Sequence, residues 1–363
     1  MGYFSIAKGF AMFLILYGHS MTIFYGKSYK QDQISASFKA FWGAGQVLGG
    51  GIMAMFFLIS GYGFYKRSIK KTWKNQTGLL LRPYYITALL VLLSKLILAV
   101  IERRSFMENG GQYILTYLLG LNAEGGGKIF GIPIESVSIF WFILGLFGGW
   151  MIYTVIINQV KEEKRQLFFS LIISFIGTLL AMWQRVWPFC FPIMCITTGY
   201  LALGVYIREH GLLERSLKAR ELILLTVIPL ICLAFGRVDM VNGIWRLGPL
   251  DFIGSACIGF FLLKAYVWLM GFDGFKNNRL SAFLTDFGFY SMWVVCIHAY
   301  EKVVIPWHWL KFFLADYPAL CAILVLILRT IFIVISYKFI IRFEKRRRKR
   351  KKGKRRKITL EDA

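Results

Sequence analysis

The sequence predicts an all-α integral membrane protein: a bundle of about ten transmembrane helices, N-terminus and C-terminus in the cytoplasm, with a basic tail. Three observations carry this. Of 363 residues, 57% are hydrophobic and 17% charged, against roughly 25% charged in soluble domains; a water-soluble protein cannot hide that much apolar surface, and lipid-facing helices need not. Ten stretches approach the roughly 20 apolar residues that a crossing helix needs: 4–25, 45–65, 79–101, 139–158, 166–183, 188–207, 221–236, 250–271, 289–307 and 318–341. Finally, the basic residues are unevenly shared. Segments 66–82, 159–166, 208–220, 272–288 and the tail from 342 carry 28 Lys and Arg, whereas 26–44, 102–138, 184–187, 237–249 and 302–316 carry 11. That asymmetry sets an N-in, C-in orientation.

Taken in order, the first stretch is too long for a cleaved leader and contains Lys8, so it is expected to remain as a span. The second ends in MFFLISGYGFYKR, where Ser60, Gly61 and Gly63 allow close helix approach. The third helix is expected to start at Arg82-Pro83, since the residue before a proline is pushed out of helix. The long segment 102–138, with Gly125-Gly126-Gly127, reads equally as a lid over a substrate or as a flexible connector. The fifth and sixth spans should form a tight hairpin about 184–187, and the seventh is short. The tenth runs into RFEKRRRKRKKGKRRK, where thirteen basic residues fall between Arg342 and Lys357. Residues 1–341 thus form the membrane domain. Residues 342–363 form a cytoplasmic tail expected to be disordered and to lie on anionic lipid, each basic residue adding about 1 kcal/mol. The net charge of +25 therefore reports orientation and membrane lipid, not a nucleic-acid partner. The six cysteines lie in apolar stretches without a CxxC pair and read as small core residues; no metal site is expected.

Ionisable residues inside a span are costly, so each is a site candidate: Lys8, His19, Lys95, Asp251, Lys264, His298, Glu301 and Arg329. Lys95, Lys264 and Arg329 stand alone in the sequence, and long basic chains often snorkel to the interface. Lys8 and His19 are eleven residues apart, which returns them to one helix face about 16 Å apart. A cation below an imidazole suits an anionic donor and a reaction nearer the outside. Equally, Lys8 snorkels and His19 caps the helix. Arg82 at a helix start is able to hold phosphate, although any helix start gives the same dipeptide. His298 and Glu301 share a face at i,i+3; the carboxylate can orient the imidazole, and a structural hydrogen bond explains the pair slightly better. His210 and His308 are not site candidates.

These segments together resemble acyltransferase family 3, the ten-helix membrane acyltransferases of surface polysaccharides and related envelope molecules. The resemblance rests on Lys8 and His19 flanking ten residues, on Phe56-Phe57-Leu58-Ile59-Ser60-Gly61, on Arg82-Pro83-Tyr84, on Phe140-Trp141-Phe142, and on Ser291 seven residues before His298, in that order over about residues 1–310. Two positions depart from the family pattern. Lys8 stands where Arg is common, offering a point charge in place of a bidentate fork, and Gly78–Leu81 lacks the arginines usual there; Lys66, Arg67, Lys70 or Lys71 would then help hold phosphate.

The resemblance implies an O-acyltransferase of the bacterial plasma membrane. Its donor would be acyl-CoA, acetyl-CoA by family frequency or else succinyl-CoA, with phosphates held by Lys8, Arg82 and Arg67 in the basic loop. Its acceptor would be a hydroxyl of an envelope glycan or glycolipid, with His19 as general base or as transient acyl carrier, and no metal. The rival readings are a transporter or exporter of a lipid-linked glycan, which ten spans and buried charges also fit, and a non-catalytic partner subunit. Acceptor and oligomeric state are not written in the sequence.

Overall fold

Inside lipid every backbone N–H and C=O must be bonded within the chain, which leaves helices as the natural state of so apolar a sequence. The computed structural model is accordingly helical nearly throughout. It describes residues 2–21, 36–101, 106–121, 127–129, 132–134, 136–183, 186–236, 238–240, 243–276, 278–314 and 317–361.

The helices are α1 (Gly2–Met21), α2 (Ala36–Tyr62), α3 (Ile69–Gln76), α4 (Arg82–Ile101), α5 (Phe106–Leu119), α6 (Trp141–Gln159), α7 (Glu163–Met182), α8 (Phe191–Glu209), α9 (Ala219–Phe235) and α10 (Pro249–Leu269). They continue with the short α11 (Asp273–Lys276), then α12 (Arg279–Phe289), α13 (Ser291–Val304), the short α14 (Leu310–Phe313) and α15 (Pro318–Glu361). Among the described residues seven helices are long and apolar enough to cross a membrane, or eight if the bent α12–α13 pair makes one crossing. The outward faces are apolar, as lipid requires: Leu222, Ile223, Leu224 and Leu230 of α9 are all exposed. α6 and α8 lie at the centre with α2 and α10. There Phe57 stacks on Phe142 at 5.1 Å, and Tyr200 packs on Phe252 at 4.4 Å.

Two crossings bring backbone onto backbone. A Cβ on Gly288 of α12 would lie 1.8 Å from the Ser5 carbonyl oxygen of α1, and one on Gly9 would lie 1.9 Å from that of Leu284. Likewise a Cβ on Gly61 of α2 would fall 2.2 Å from the Leu201 carbonyl oxygen of α8. Small residues are the usual means of such approach in membranes. Gly61→Ala is therefore expected to cost about 1–3 kcal/mol by overpacking, read as a lower midpoint of thermal unfolding in detergent.

Three expectations are corrected. The third helix does not begin at Arg82-Pro83. It begins at Ile69, where Ser68 Oγ accepts from the Lys71 amide at 3.4 Å, and continues through a π-helical turn, Thr77–Leu81, into α4. The wider turn gives the Pro83 ring room that the carbonyl four residues earlier would otherwise occupy. The Arg82 amide is bonded to the Thr77 carbonyl, so no open helix start exists there. Segment 102–138 is not a plain connector either: it holds α5 and a hairpin in which β1 (Gly127–Ile129) pairs antiparallel with β2 (Ile132–Ile134), while Gly125 and Gly126 lie outside the described residues. The ninth span, expected over 289–307, is helical as α13 only over Ser291–Val304, and a further helix, α12, precedes it and meets it at 78° around Tyr290. α15 runs as helix from Pro318 to Glu361, through the basic tail. Lys and Arg are good helix formers, and extending an existing helix avoids the nucleation penalty.

Candidate active site

The break at Tyr290 lets α13 take its own direction, and its inward face meets the last turn of α1. There the His19 and His298 rings approach to 5.2 Å between centroids, tilted by 48°. His298 is fully buried, and its Nδ1 lies 2.5 Å from Glu301 Oε1, one turn further along α13. Glu301 is also fully buried. Its second oxygen, Oε2, accepts the indole N–H of Trp307 and lies 3.3 Å from Arg329 Nε of α15. The Arg329 guanidinium sits 5.7 Å from the Trp307 ring centre, and its NH1 donates to Ser20 Oγ at 3.3 Å. Ser20 donates in turn to the Leu16 carbonyl at 2.8 Å, tying the cluster back into α1.

Each part of the cluster answers a need of its neighbour. A carboxylate away from water must find a donor or a cation; on Oε2 Trp307 supplies the donor and Arg329 the charge. Oε1 is thereby left to His298. A neutral imidazole bonded to a carboxylate through one nitrogen carries its proton there and keeps a lone pair on the other. The His298 Nε2 atom is buried, with no hydrogen-bond partner among the described residues. Such an arrangement can hold, accept and return a proton.

The sequence-predicted residues are divided by the structure. It joins His19 to the His298–Glu301 pair, which the spacing alone favoured as a structural bond. Lys8 lies half-buried on α1, eleven residues or about 16 Å before His19. Phe4, one turn before Lys8, packs on Tyr62 at the end of α2 at 4.7 Å. Arg67 follows that end, its carbonyl accepting from Asn158 Nδ2 at 3.0 Å near the end of α6. Arg82, which is exposed, stands two residues before Tyr84, and Tyr84 packs on Phe140 at the opposite end of α6. Thirteen helical steps from Ile69 to Arg82 set Arg67 and Arg82 about 20 Å apart along the helix axis. Arg82 lies nearer the imidazoles, because Ser94 further along α4 bonds Tyr300 of α13 at 3.0 Å.

The other ionisable residues of the spans have structural work. Lys264 donates to the carbonyls of Leu213 and Arg215 at 3.0 and 2.6 Å, and Asp251 accepts from the Leu247 amide at 2.7 Å. Lys95 lies 5.6 Å from the Tyr113 ring centre. Arg329 was open to the same snorkelling explanation and is instead 3% exposed. A buried Glu301 called for a cation, and that requirement was the available signal for Arg329; nothing in the sequence joined Trp307 to it.

A family model described as an acyltransferase domain matches residues 1–342. The chain belongs to acyltransferase family 3. Among curated proteins and solved structures none matches it. This acyltransferase therefore carries its family's domain over nearly the whole chain, and the apolar helices make it a multi-pass membrane protein. Among its described residues no group of His, Cys, Asp and Glu is arranged to hold a metal ion.

Proposed function

We propose that this protein transfers an acyl group, acetyl in the first instance, from acyl-CoA on the cytoplasmic side of a bacterial plasma membrane to a hydroxyl of an envelope carbohydrate, with His19 as general base. The observation that carries the reading is the contact of His19 with the buried His298–Glu301 pair, within a chain of the acyltransferase family. Acyl transfer to a hydroxyl needs a base within reach of the oxygen, and a positioned imidazole contributes about 10²–10⁴-fold.

The spread of basic residues suits a long anionic donor. Arg67 with exposed Lys66, Lys70 and Lys71 follows the end of α2, Lys8 lies on α1 before His19, and exposed Arg82 opens α4. In this reading the first group receives the outermost phosphate of coenzyme A. Lys8 and Arg82 face the remaining phosphates, and the pantetheine arm carries the thioester up to His19.

The test uses membranes with wild type or His19→Ala, inserted in equal amount and supplied with radiolabelled acetyl-CoA. Label is counted in the lipid and glycan fractions. Incorporation that disappears with His19 is the expected result and identifies the acceptor fraction. Incorporation indifferent to His19 would remove its role as base. No incorporation from acetyl-CoA or succinyl-CoA would turn the reading toward export of a lipid-linked glycan.

A further inference from the structure

Building on that reading, we propose that His19 does not work alone: His298, held by Glu301, forms with it a two-imidazole proton relay, and Trp307 and Arg329 are the positioning residues of that relay. A histidine buried only to complete the fold has its polar atoms satisfied. His298 is bonded at Nδ1 and, among the described residues, unpartnered at Nε2, inside a fully buried environment. The carboxylate keeps the proton on Nδ1, so Nε2 is an acceptor. With ring centroids 5.2 Å apart, a small rotation brings facing nitrogens to a hydrogen-bonding distance of about 3 Å.

The step then balances. One nitrogen of His19 takes the proton of the acceptor hydroxyl as its oxygen attacks the thioester carbonyl. The N–H on the other side of His19 gives its proton to His298 Nε2, so the positive charge rests on the ring next to Glu301. When the carbon–sulfur bond breaks, the thiolate takes the proton from His19, and His298 returns its proton to His19. One O–H and one C–S bond break, one O–C and one S–H bond form, and both histidines end neutral.

Charge decides where the proton rests. Among the described residues, the charged and titratable groups around His298 are His19 on α1, Glu301 and Lys302 on α13, and Arg329 on α15. α4 faces the same helix with Thr87 and Ser94, and the turn Ser138–Phe140 brings no titratable side chain. The carboxylate is the one anion of this set and touches His298 directly. Arg329 and Trp307 engage its far oxygen and keep the near one on the imidazole.

The experiment compares wild type, Glu301→Gln and His298→Gln in membrane vesicles supplied with radiolabelled acetyl-CoA over a range of pH and donor concentration. It is paired with ¹⁵N-histidine spectra of the purified protein in nanodiscs, where four histidines keep assignment tractable. Glu301→Gln is expected to cut turnover about 100-fold with the KM for acetyl-CoA unchanged. Without the carboxylate the pair holds its proton less tightly, so the base is free at lower pH and the acid limb of the rate profile moves down. The spectrum of the wild type should show His298 protonated at Nδ1. A lower activity with an unmoved acid limb would mean a structural role and overturn the relay, as would His298 protonated at Nε2. If wild type transfers no label, the acyltransfer reading fails and takes the relay's catalytic role with it. The tautomer in the spectrum then still decides whether Glu301 holds His298 as argued.

Discussion

Arg329→Met is expected to destabilise the protein by about 3–5 kcal/mol, the usual cost of leaving one member of a buried ion pair without its partner. Glu301 would keep Trp307 on Oε2 but lose its cation, 3.3 Å away. Ser20 would lose a donor as well. The double variant Glu301→Gln/Arg329→Met removes both charges together and should recover most of the stability, since an apolar replacement of a whole buried pair is often neutral. Activity should not recover with it, because the carboxylate on His298 is gone. Thermal unfolding and label transfer, measured on all four members of the cycle, separate the two effects. Equal stability losses in single and double variants would show that Arg329 holds the helices by packing and not by pairing with Glu301.

The other large effect lies at the crossing of α1 and α12. Gly288→Leu places a Cβ 1.8 Å from the Ser5 carbonyl oxygen, a backbone atom that cannot swing aside. The cost should reach about 3 kcal/mol, the upper part of the range for overpacking. Its consequence reaches past stability. α12 leads through the bend at Tyr290 into α13, so parting α12 from α1 also parts His298 from His19. Activity should fall further than the loss of folded protein accounts for. Gly78→Ala is the control: no atom lies within 4 Å of its added Cβ, and alanine suits a helix better than glycine does. If Gly288→Leu transfers label at wild-type rate per folded molecule, α1 and α12 do not set the distance between the imidazoles.

Much of this protein was legible in its residues one stretch at a time. Apolar runs of spanning length fall on helices because lipid offers the backbone no other partner, and Gly61 announced a close crossing because only a missing side chain permits one. His298 and Glu301 were readable as a pair, since three residues in a helix bring two side chains onto one face. Lys8 and His19 were readable together for the same reason.

What joined those two pairs was not local. The contact of His19 with His298 spans most of the chain and depends on the bend at Tyr290, which no hydropathy stretch records. Arg329 read as a snorkelling cation, and nothing local drew attention to Trp307, until the fold set both against one carboxylate. The start of the third helix was misread because proline marks a boundary only on average, and here a π turn absorbs it. Periodicity along one helix determines which residues share a face. Which faces meet is decided by packing among all the helices, and there the buried charges find their partners.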